Sequence, residues 1–196
     1  MMNVSKDIKH GFDFVSVKDF ITYEKAMEVN EHFEKNFEMF EPKQFGAKNN
    51  DGSENKNATV KQIRWKNIKD ILGNDVQRLL SFIRYSFGYN VYDLHDDETL
   101  NINIYNADSK QSYDWHTDES KNPMYDIKVT ALFNVSKREY NGGEFEIFKS
   151  DVMPVINLKD TGGMVMFKSH LNHRVLPVLS GERRTVAIFF KGPKFQ

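Results

Sequence analysis

The hydrophobic period of the chain changes near its midpoint. In two segments before residue 98, apolar residues recur every three to four positions, whereas from Leu100 onward they alternate with polar residues in short runs. A period of 3.6 is typical of amphipathic helices, and a period of two is typical of strands with one buried face. The pattern therefore predicts a first half with helices and a β-rich second half.

Two helices are predicted in the first half. The earlier helix begins near Thr22, and the later one begins near Asn74 and ends at Gly88, since Thr and Asn are good N-caps and Gly favours a C-terminal stop. Residues 46–58 are rich in Asn, Lys, Gly and Ser, which predicts a mobile surface loop without a functional role. The two apolar stripes are Ala26, Val29, Phe33 and Phe37 in the first helix, and Val76, Leu79, Leu80, Ile83 and Phe87 in the second.

Short strands are predicted throughout the second half. Turn-rich segments such as Asn141-Gly142-Gly143 separate them. Many short strands at regular spacing favour a β-sandwich or jelly roll. Because a helix must bury its apolar stripe, we expect the helices to pack on the outside of one sheet. The predicted strands are 99–105, 128–135, 144–149, 163–167 and 184–190.

Composition narrows the classes of function. A chain of 196 residues that is 39% hydrophobic can form one domain, 1–196, with a sizeable core. The net charge of -1 argues against a nucleic-acid partner, and the absence of cysteine excludes disulfides and thiolate metal sites. The N-terminus lacks the apolar stretch of a secretory signal, and the apolar runs are too short to span a bilayer. We therefore expect a cytoplasmic protein without membrane contact.

A metal site is predicted from three residues. The segment His116-Thr117-Asp118 places two ligand side chains on one face of extended backbone, and His173 follows the predicted strand 163–167 as a third. Two histidines and one carboxylate leave three coordination positions open, as Fe(II) needs to bind a chelator and dioxygen together. A zinc hydrolase needs only one open position, and a chance His-x-Asp triplet at an exposed strand end is the simpler alternative.

The predicted strand 184–190 and the residue before it carry two arginines on opposite faces. Arg183 shares its face with Thr185 and Ala187, whose small side chains leave room for a ligand. Since a guanidinium can clamp a carboxylate through two parallel hydrogen bonds, we expect Arg183 to bind the far end of a dicarboxylic acid. A solvent-exposed arginine is the alternative. The other face carries Arg184, Val186, Ile188 and Phe190.

The predicted strand 99–105 has one polar face, formed by Asn101, Asn103 and Tyr105. Because this strand leads directly to His116, we expect its polar face to line a cavity, with Tyr105 donating its hydroxyl to a bound carboxylate. A plain solvent-facing surface is an equal alternative for the two asparagines.

Several segments of the chain together form a pattern that resembles one family. The segments are Tyr105, Tyr113 to Asp118, Tyr140 to Phe145, Gly163 to Phe167, His173 to Val178, Gly181 to Arg183 and Gly192 to Phe195. In their order and spacing they resemble the prolyl 4-hydroxylase-like branch of the Fe(II)- and 2-oxoglutarate-dependent dioxygenases, in particular its small bacterial and phage members. The likeness covers residues 99–196 and is weak before them.

The resemblance implies a fold and a site. The implied fold is a mainly β, α+β double-stranded β-helix, or jelly roll, formed by residues 99–196 as the catalytic core. Residues 1–98 supply helical support, packed on the larger sheet, and edge strands. The implied cofactor and co-substrates are Fe(II), 2-oxoglutarate and O2, with ascorbate as an optional addition. The implied iron ligands are His116, Asp118 and His173, and the implied co-substrate site holds Arg183 and Tyr105, with Thr185 and Asn103 beside them.

The resemblance also implies a reaction, in which 2-oxoglutarate is converted to succinate and CO2 while a C–H bond is hydroxylated. A prolyl residue of a peptide or protein is the expected substrate, and a free amino acid or other small molecule is the first alternative. A non-catalytic jelly-roll binding module is the second. The expected assembly is a monomer or weak homodimer, and residues 119–127, with Pro123 and Tyr125, are expected to form a lid. Two departures from the family are Phe189, where Trp is common, and His170, which competes with His173 as a ligand.

Overall fold

The computed structural model describes residues 9–10, 13–35, 41–43, 56–120 and 122–194. Phe37 and residues 46–55 lie outside this part of the chain, so the predictions made for them are not tested. The helices are α1 (Tyr23–Lys35) and α2 (Lys69–Phe82). The strands are β1 (Lys9–His10), β2 (Phe14–Val17), β3 (Glu41–Lys43), β4 (Lys56–Asn57), β5 (Thr59–Arg64), β6 (Thr99–Asn106), β7 (Ser112–His116), β8 (Asp126–Asn134), β9 (Asn141–Gly142), β10 (Phe145–Phe148), β11 (Val152–Pro154), β12 (Met164–Lys168), β13 (His173–Val175), β14 (Val178–Ser180) and β15 (Glu182–Gly192).

Two antiparallel sheets form the predicted jelly roll. The major sheet has the strand order β1-β2-β12-β8-β15-β6-β5-β3, and the minor sheet has the order β11-β10-β13-β7-β4. Strands β9 and β14 form a separate short pair. The inner faces of the two sheets share one apolar cluster, in which Phe145 and Val175 of the minor sheet pack with Leu132 and Phe167 of the major sheet. The five strands predicted in the second half are all present, with small changes at their ends.

Alternate residues of β15 face opposite sides of the major sheet. Arg183, Thr185 and Ala187 face the space between the sheets, whereas Val186 and Ile188 face the helices. Each face is buried, because the helices cover one side of the major sheet and the minor sheet covers the other. The predicted packing of the helices on the larger sheet is therefore confirmed.

Helix α1 begins as predicted and α2 does not. The backbone N–H of Lys25 donates to Thr22 Oγ1 at 3.2 Å, which is the expected N-cap bond. Helix α2 starts at Lys69, before Asn74, so the Asn74 N-cap is wrong. The apolar stripe continues upstream through Leu72, and burial of this stripe outweighs the low helix propensity of Gly73. Within the described residues, neither helix is long and apolar enough to cross a bilayer.

The predicted end of the second helix is confirmed. A π-helical turn, Ile83–Phe87, extends α2, and Gly88 then adopts the left-handed conformation with φ of 67°. Glycine reaches this conformation without the steric cost that a Cβ imposes, so the chain can turn away at this point.

The predicted surface loop 46–58 is wrong at its end. Lys56–Asn57 forms β4, which pairs with β7 at the edge of the minor sheet. Only Ala58 separates β4 from β5, so the chain crosses there from the minor to the major sheet. The Lys56 side chain is buried between the sheets, which is the reverse of the exposed position expected for it.

Candidate active site

Three ligand-type side chains converge between the two sheets. His116 is the last residue of β7, and His173 is the first residue of β13 and pairs directly with it. Asp118 follows two residues beyond β7, and the ligand atoms of all three side chains lie within 4.8 Å of one another. His173 Nε2 is 3.5 Å from Asp118 Oδ2, and His116 Nε2 is 3.9 Å from Asp118 Oδ1. The convergence predicted from sequence is therefore present.

Backbone carbonyls set the tautomer of both histidines. His116 Nδ1 lies 2.7 Å from the Asp114 carbonyl oxygen, and His173 Nδ1 lies 2.9 Å from the Leu171 carbonyl oxygen. Because a carbonyl oxygen can only accept, each Nδ1 must carry the proton and donate it. Each Nε2 is directed toward Asp118 and carries a lone pair when the ring is neutral. This is the arrangement by which metal-binding histidines are oriented.

The Thr130 hydroxyl binds the Asp118 carboxylate, and the Ser169 hydroxyl lies beside Thr130. Thr130 Oγ1 donates to Asp118 Oδ2 at 2.8 Å and lies 3.1 Å from Ser169 Oγ. The backbone N–H of Asp118 donates to the Ser169 carbonyl at 2.9 Å. Asp118 lies beyond the end of β7, and these bonds hold its backbone and its carboxylate in place without the support of a strand.

The environment of His116 favours the neutral imidazole. Burial lowers the pKa of His116 far below its usual range, and the neighbouring His173 lowers it further. The Tyr113 ring stacks on the His116 ring, with centroids 3.3 Å apart and an angle of 14° between the planes. A neutral imidazole is the form that binds a metal ion, so this site is prepared for one without a change of protonation.

Arg183 is the most deeply buried cation near these ligands. Its side chain is 1% exposed, and Nη1 makes only a long hydrogen bond of 3.4 Å to Thr185 Oγ1. Within the described part of the chain, Nε and Nη2 have no hydrogen-bond partner. Buried donors without partners are costly, so these two atoms indicate a missing acceptor. A carboxylate fits because it can accept from both atoms at once.

Tyr105 and Asn103 face the same cavity from β6. The guanidinium carbon of Arg183 is 5.3 Å from the centroid of the Tyr105 ring, and β6 pairs Tyr105 with Arg183 directly. Burial raises the pKa of Tyr105 to about 12, so its hydroxyl remains a proton donor. Asn103 accepts a hydrogen bond from Lys56, and Thr185 lies next to it on β15. The structure therefore places all four predicted co-substrate residues on one wall.

The cavity has a volume of about 400 Å³ including its mouth. It extends from the histidine pair to the Arg183 guanidinium, so one small ligand could reach both ends. Its wall combines polar groups with apolar side chains, as is usual for a small-molecule site. The lining residues are Lys56, Asn101, Asn103, Tyr105, Tyr113, His116, Asp118, Thr130, Leu132, Phe145, His173, Val175, Arg183, Thr185, Ala187 and Phe189.

The two alternatives to the chosen residues, His170 and Arg184, lie outside the cavity. His170 is exposed and does not belong to the convergent group. Arg184 faces α1, where Nη1 donates to Asn30 Oδ1 at 3.0 Å. Phe189, in contrast, lines the cavity. The choices of His173 over His170 and of Arg183 over Arg184 agree with this geometry.

The predicted lid, 119–127, is wrong at its C-terminal end. Asp126 and Ile127 begin β8 and pair with Gly192 and Lys191 of β15. Lys191 Nζ also lies 4.7 Å from the centroid of the Tyr125 ring, which ties that residue to the major sheet. A lid role for the residues before them stays a prediction.

Sequence reasoning missed three cavity residues that carry polar groups, Thr130, Tyr113 and Lys56. Thr130 could have been found, because β8 alternates and Thr130 shares its face with Leu132 rather than with the helix-facing residues. Tyr113 could not, since strict alternation puts it on the face opposite to His116. No local signal marks Lys56, whose position depends on the crossing of the chain at Ala58.

Several solved structures have a similar fold. A Pseudomonas putida prolyl-4-hydroxylase aligns over 93% of this chain and 94% of its own, with 16% identity and a TM-score of 0.68. A viral collagen prolyl hydroxylase from Paramecium bursaria Chlorella virus-1, solved as a 2OG complex, aligns over 91% and 96%, with 15% identity and a TM-score of 0.65. A Trichoplax adhaerens prolyl hydroxylase, solved with a hypoxia inducible factor peptide fragment, aligns over 91% and 83%, with 16% identity and a TM-score of 0.64.

Sequence comparison finds a similarity in the second half of the chain. No curated protein sequence matches the chain at a significant level. Residues 100–191 match the family model of the 2OG-Fe(II) oxygenase superfamily. The matched segment contains the three convergent ligands and Arg183. The jelly-roll half of this protein, residues 100–191, is therefore similar in sequence to the 2OG-Fe(II) oxygenase superfamily.

Proposed function

We propose that this protein is a 2-oxoglutarate-dependent hydroxylase whose Fe(II) is bound by His116, Asp118 and His173. The observation that carries the proposal is that Arg183, with two buried donor atoms that lack a partner within the described residues, shares one cavity with the three ligands. A binding module that only holds a metal has no need for such a guanidinium.

The superfamily implies Fe(II), 2-oxoglutarate and O2, and the residues of the cavity fit them. Two imidazoles and a carboxylate suit Fe(II), and Arg183 with Tyr105 suits the distal carboxylate of 2-oxoglutarate. When bound, the metal would supply the oxidation chemistry that couples decarboxylation of 2-oxoglutarate to hydroxylation of a C–H bond.

The side chains of this protein contribute orientation and shielding. The Asp114 and Leu171 carbonyls hold Nε2 of each histidine toward the metal position, and Thr130 holds the carboxylate. Leu132 and Phe189 cover the apolar side of the cavity and limit the access of water to the reacting atoms. Thr185 and Asn103 complete the polar wall along the co-substrate.

The substrate that we propose is a prolyl residue in a peptide or protein. Support comes from the fold, which resembles prolyl hydroxylases of a bacterium, a virus and an animal, one of them solved with a peptide. These proteins are at most 16% identical to this chain, so their substrates are evidence for a class of substrate rather than for a particular one.

Succinate formation tests the reaction. Purified protein is incubated with Fe(II), O2 and 2-oxoglutarate, and succinate is measured for the wild type, His116→Ala and the exposed control His170→Ala. We expect iron-dependent succinate from the wild type and the control only. If all three folded proteins produce none above background, the binding module becomes the better interpretation.

Mass spectrometry tests the substrate. Matched peptides that contain proline or alanine at one position, and free amino acids, are incubated with the active protein and 2-oxoglutarate. We expect a mass gain of one oxygen atom only in the proline peptides. A gain confined to free amino acids would leave the hydroxylase in place and overturn the peptide substrate.

A further inference from the structure

We propose that Lys56 is a second carboxylate-binding residue of the cavity, in addition to Arg183. The inference rests on the proposed function, and it goes beyond it because Lys56 lies outside the segment that matches the family model. The carboxylate belongs either to 2-oxoglutarate or to the substrate, and both sources present the same chemistry to the ammonium group.

The backbone around Lys56 directs its side chain into the cavity. Lys56 pairs with Tyr113 at the edge of the minor sheet, and the chain crosses to the major sheet two residues later. Its Nζ donates to Asn103 Oδ1 on the major sheet at 2.8 Å. The side chain thus spans the gap between the sheets, with its charge at the cavity wall rather than in solvent.

The contacts of Lys56 Nζ connect it with both ends of the cavity. It lies 4.6 Å from the centroid of the Tyr113 ring, which stacks on His116. Its bonded partner Asn103 is paired with Thr185, which accepts a hydrogen bond from Arg183. Lys56 therefore lies along the path that connects the metal ligands with the guanidinium.

The charges of the cavity explain why an anion would bind there. The Lys56 side chain is 8% exposed, and burial lowers its pKa to about 8, so the ammonium form persists at neutral pH. Arg183 repels this charge and Asp118 attracts it. Asp118 is the only carboxylate among the described residues that line the cavity, and a metal ion would neutralise it further.

Lys56 has contacts beyond the one with Asn103, so the inference depends on where its charge lies and not on an unused hydrogen bond. Two buried cations in one small cavity raise the free energy of the empty site. A ligand with carboxylates relieves that repulsion when it enters. Positive charge placed in this way stabilises the bound ligand more than an equal charge on the surface would.

The first experiment asks whether the carboxylate is that of 2-oxoglutarate. Protein loaded with Mn(II), which replaces Fe(II) without turnover, is titrated with 2-oxoglutarate by calorimetry. We expect Lys56→Met to weaken binding about tenfold or more, which corresponds to the loss of one charge-assisted contact. Lys56→Arg keeps the charge and restores most of the affinity, and Lys66→Met, at an exposed lysine, leaves it unchanged.

The second experiment asks whether the carboxylate is that of the substrate. With 2-oxoglutarate at saturation, the Mn(II) protein is titrated with L-proline and L-prolinamide, and with a prolyl peptide that ends in a free carboxylate or an amide. If the substrate is the source, the wild type prefers the acid of each pair and Lys56→Met loses that preference, while its affinity for 2-oxoglutarate is unchanged.

The outcomes separate the two proposals. If Lys56→Met changes neither the affinity for 2-oxoglutarate nor a preference for acids, while Arg183→Met abolishes 2-oxoglutarate binding, the Lys56 proposal is wrong and the proposed function stands. If the wild type binds no 2-oxoglutarate, both are wrong. If the role of Lys56 is purely structural, metal-free Lys56→Met has a lower melting temperature than the metal-free wild type. Its affinities for 2-oxoglutarate and for the acids are then unchanged.

Discussion

His116 and His173 face each other directly across β7 and β13, with ring centroids 4.0 Å apart. Two residues farther along β13, however, Val175 pairs with Tyr113, which lies three residues from His116. Strand β7 therefore contains one extra residue, a β-bulge, between these two pairs. The bulge turns Tyr113 and His116 toward the same cavity, where their rings stack, although regular alternation would place them on opposite faces.

Removal of either imidazole is expected to abolish tight metal binding. His116→Ala and His173→Ala each leave only two of the three ligand side chains, whereas His170→Ala removes an exposed histidine and serves as the matched control. Titration with Mn(II), followed by its paramagnetic resonance signal, measures the affinity. Equal affinity in His170→Ala and His173→Ala would contradict the assigned ligand.

The Thr130 hydroxyl is expected to tune the metal site without binding the metal. Thr130→Val keeps the shape of a side chain that is 1% exposed but removes the bond to Asp118 Oδ2. Loss of such an orienting bond costs about 10–100-fold in metal affinity. The same Mn(II) titration checks this value, with Thr59→Val at an exposed position of β5 as control. An unchanged affinity would mean that the remaining bonds suffice to orient Asp118.

Replacement of Arg183 by Met is expected to weaken ligand binding, whereas replacement of Arg184 by Met is expected to lower stability. Arg183→Met removes two charge-assisted bonds of about 1.5–3 kcal/mol each, so binding of 2-oxoglutarate should weaken at least a hundredfold. Arg184→Met leaves that binding unchanged and lowers stability by about 1 kcal/mol, because it loses the bond to Asn30 on α1. Calorimetry and urea unfolding measure the two effects, and the reverse pattern would show that the faces are assigned wrongly.

Gly143 is expected to be irreplaceable beside the guanidinium. Its φ of 64° lies in the left-handed region, and an added Cβ would come within 2.9 Å of Val178 Cγ2 and 3.0 Å of Arg183 Cδ. Backbone strain of about 1–2 kcal/mol and overpacking of about 1–3 kcal/mol should both destabilise Gly143→Ala. The shifted guanidinium should also weaken 2-oxoglutarate binding. Urea unfolding and calorimetry test this, and wild-type values in both would contradict it.

Lys56 is expected to give stability a characteristic dependence on pH. Its pKa in the folded protein is about 8, below the ordinary value of 10.5, chiefly because of burial. Between these values the unfolded chain binds the proton more tightly, so the contribution of Lys56 to stability increases as pH rises from 8 toward 10.5. The free energy of unfolding of the metal-free wild type, relative to Lys56→Met, should therefore increase over this range. A constant or falling difference in urea unfolding would contradict the lowered pKa.

Sequence patterns predicted those parts of the site that regular strands determine. Arg183 and Tyr105 were placed correctly because β15 and β6 alternate without interruption. The bulge in β7 concealed Tyr113, since an extra residue changes which side chains share a face. Lys56 was assigned to a loop because a strand of two residues has no period from which it could be recognised.

The start of α2 was misplaced for a similar reason. Gly73-Asn74 has the composition of a helix end, yet the apolar stripe through Leu72 and Val76 continues across it, and packing on the major sheet outweighs the local preference. The jelly roll itself was predictable, since it follows from many short alternating strands.

One face of β15 contributes to ligand binding, and the other contributes to the stability of the fold. Substitutions at 183, 185 and 187 would alter what the cavity accepts, whereas those at 184, 186 and 188 would alter how firmly the helices are attached. Natural variants could thus acquire new ligands by changing every second residue of one strand while the intervening ones preserve its anchorage. Laboratory evolution of this protein could follow the same division, with one library for ligand selectivity and another for thermal stability.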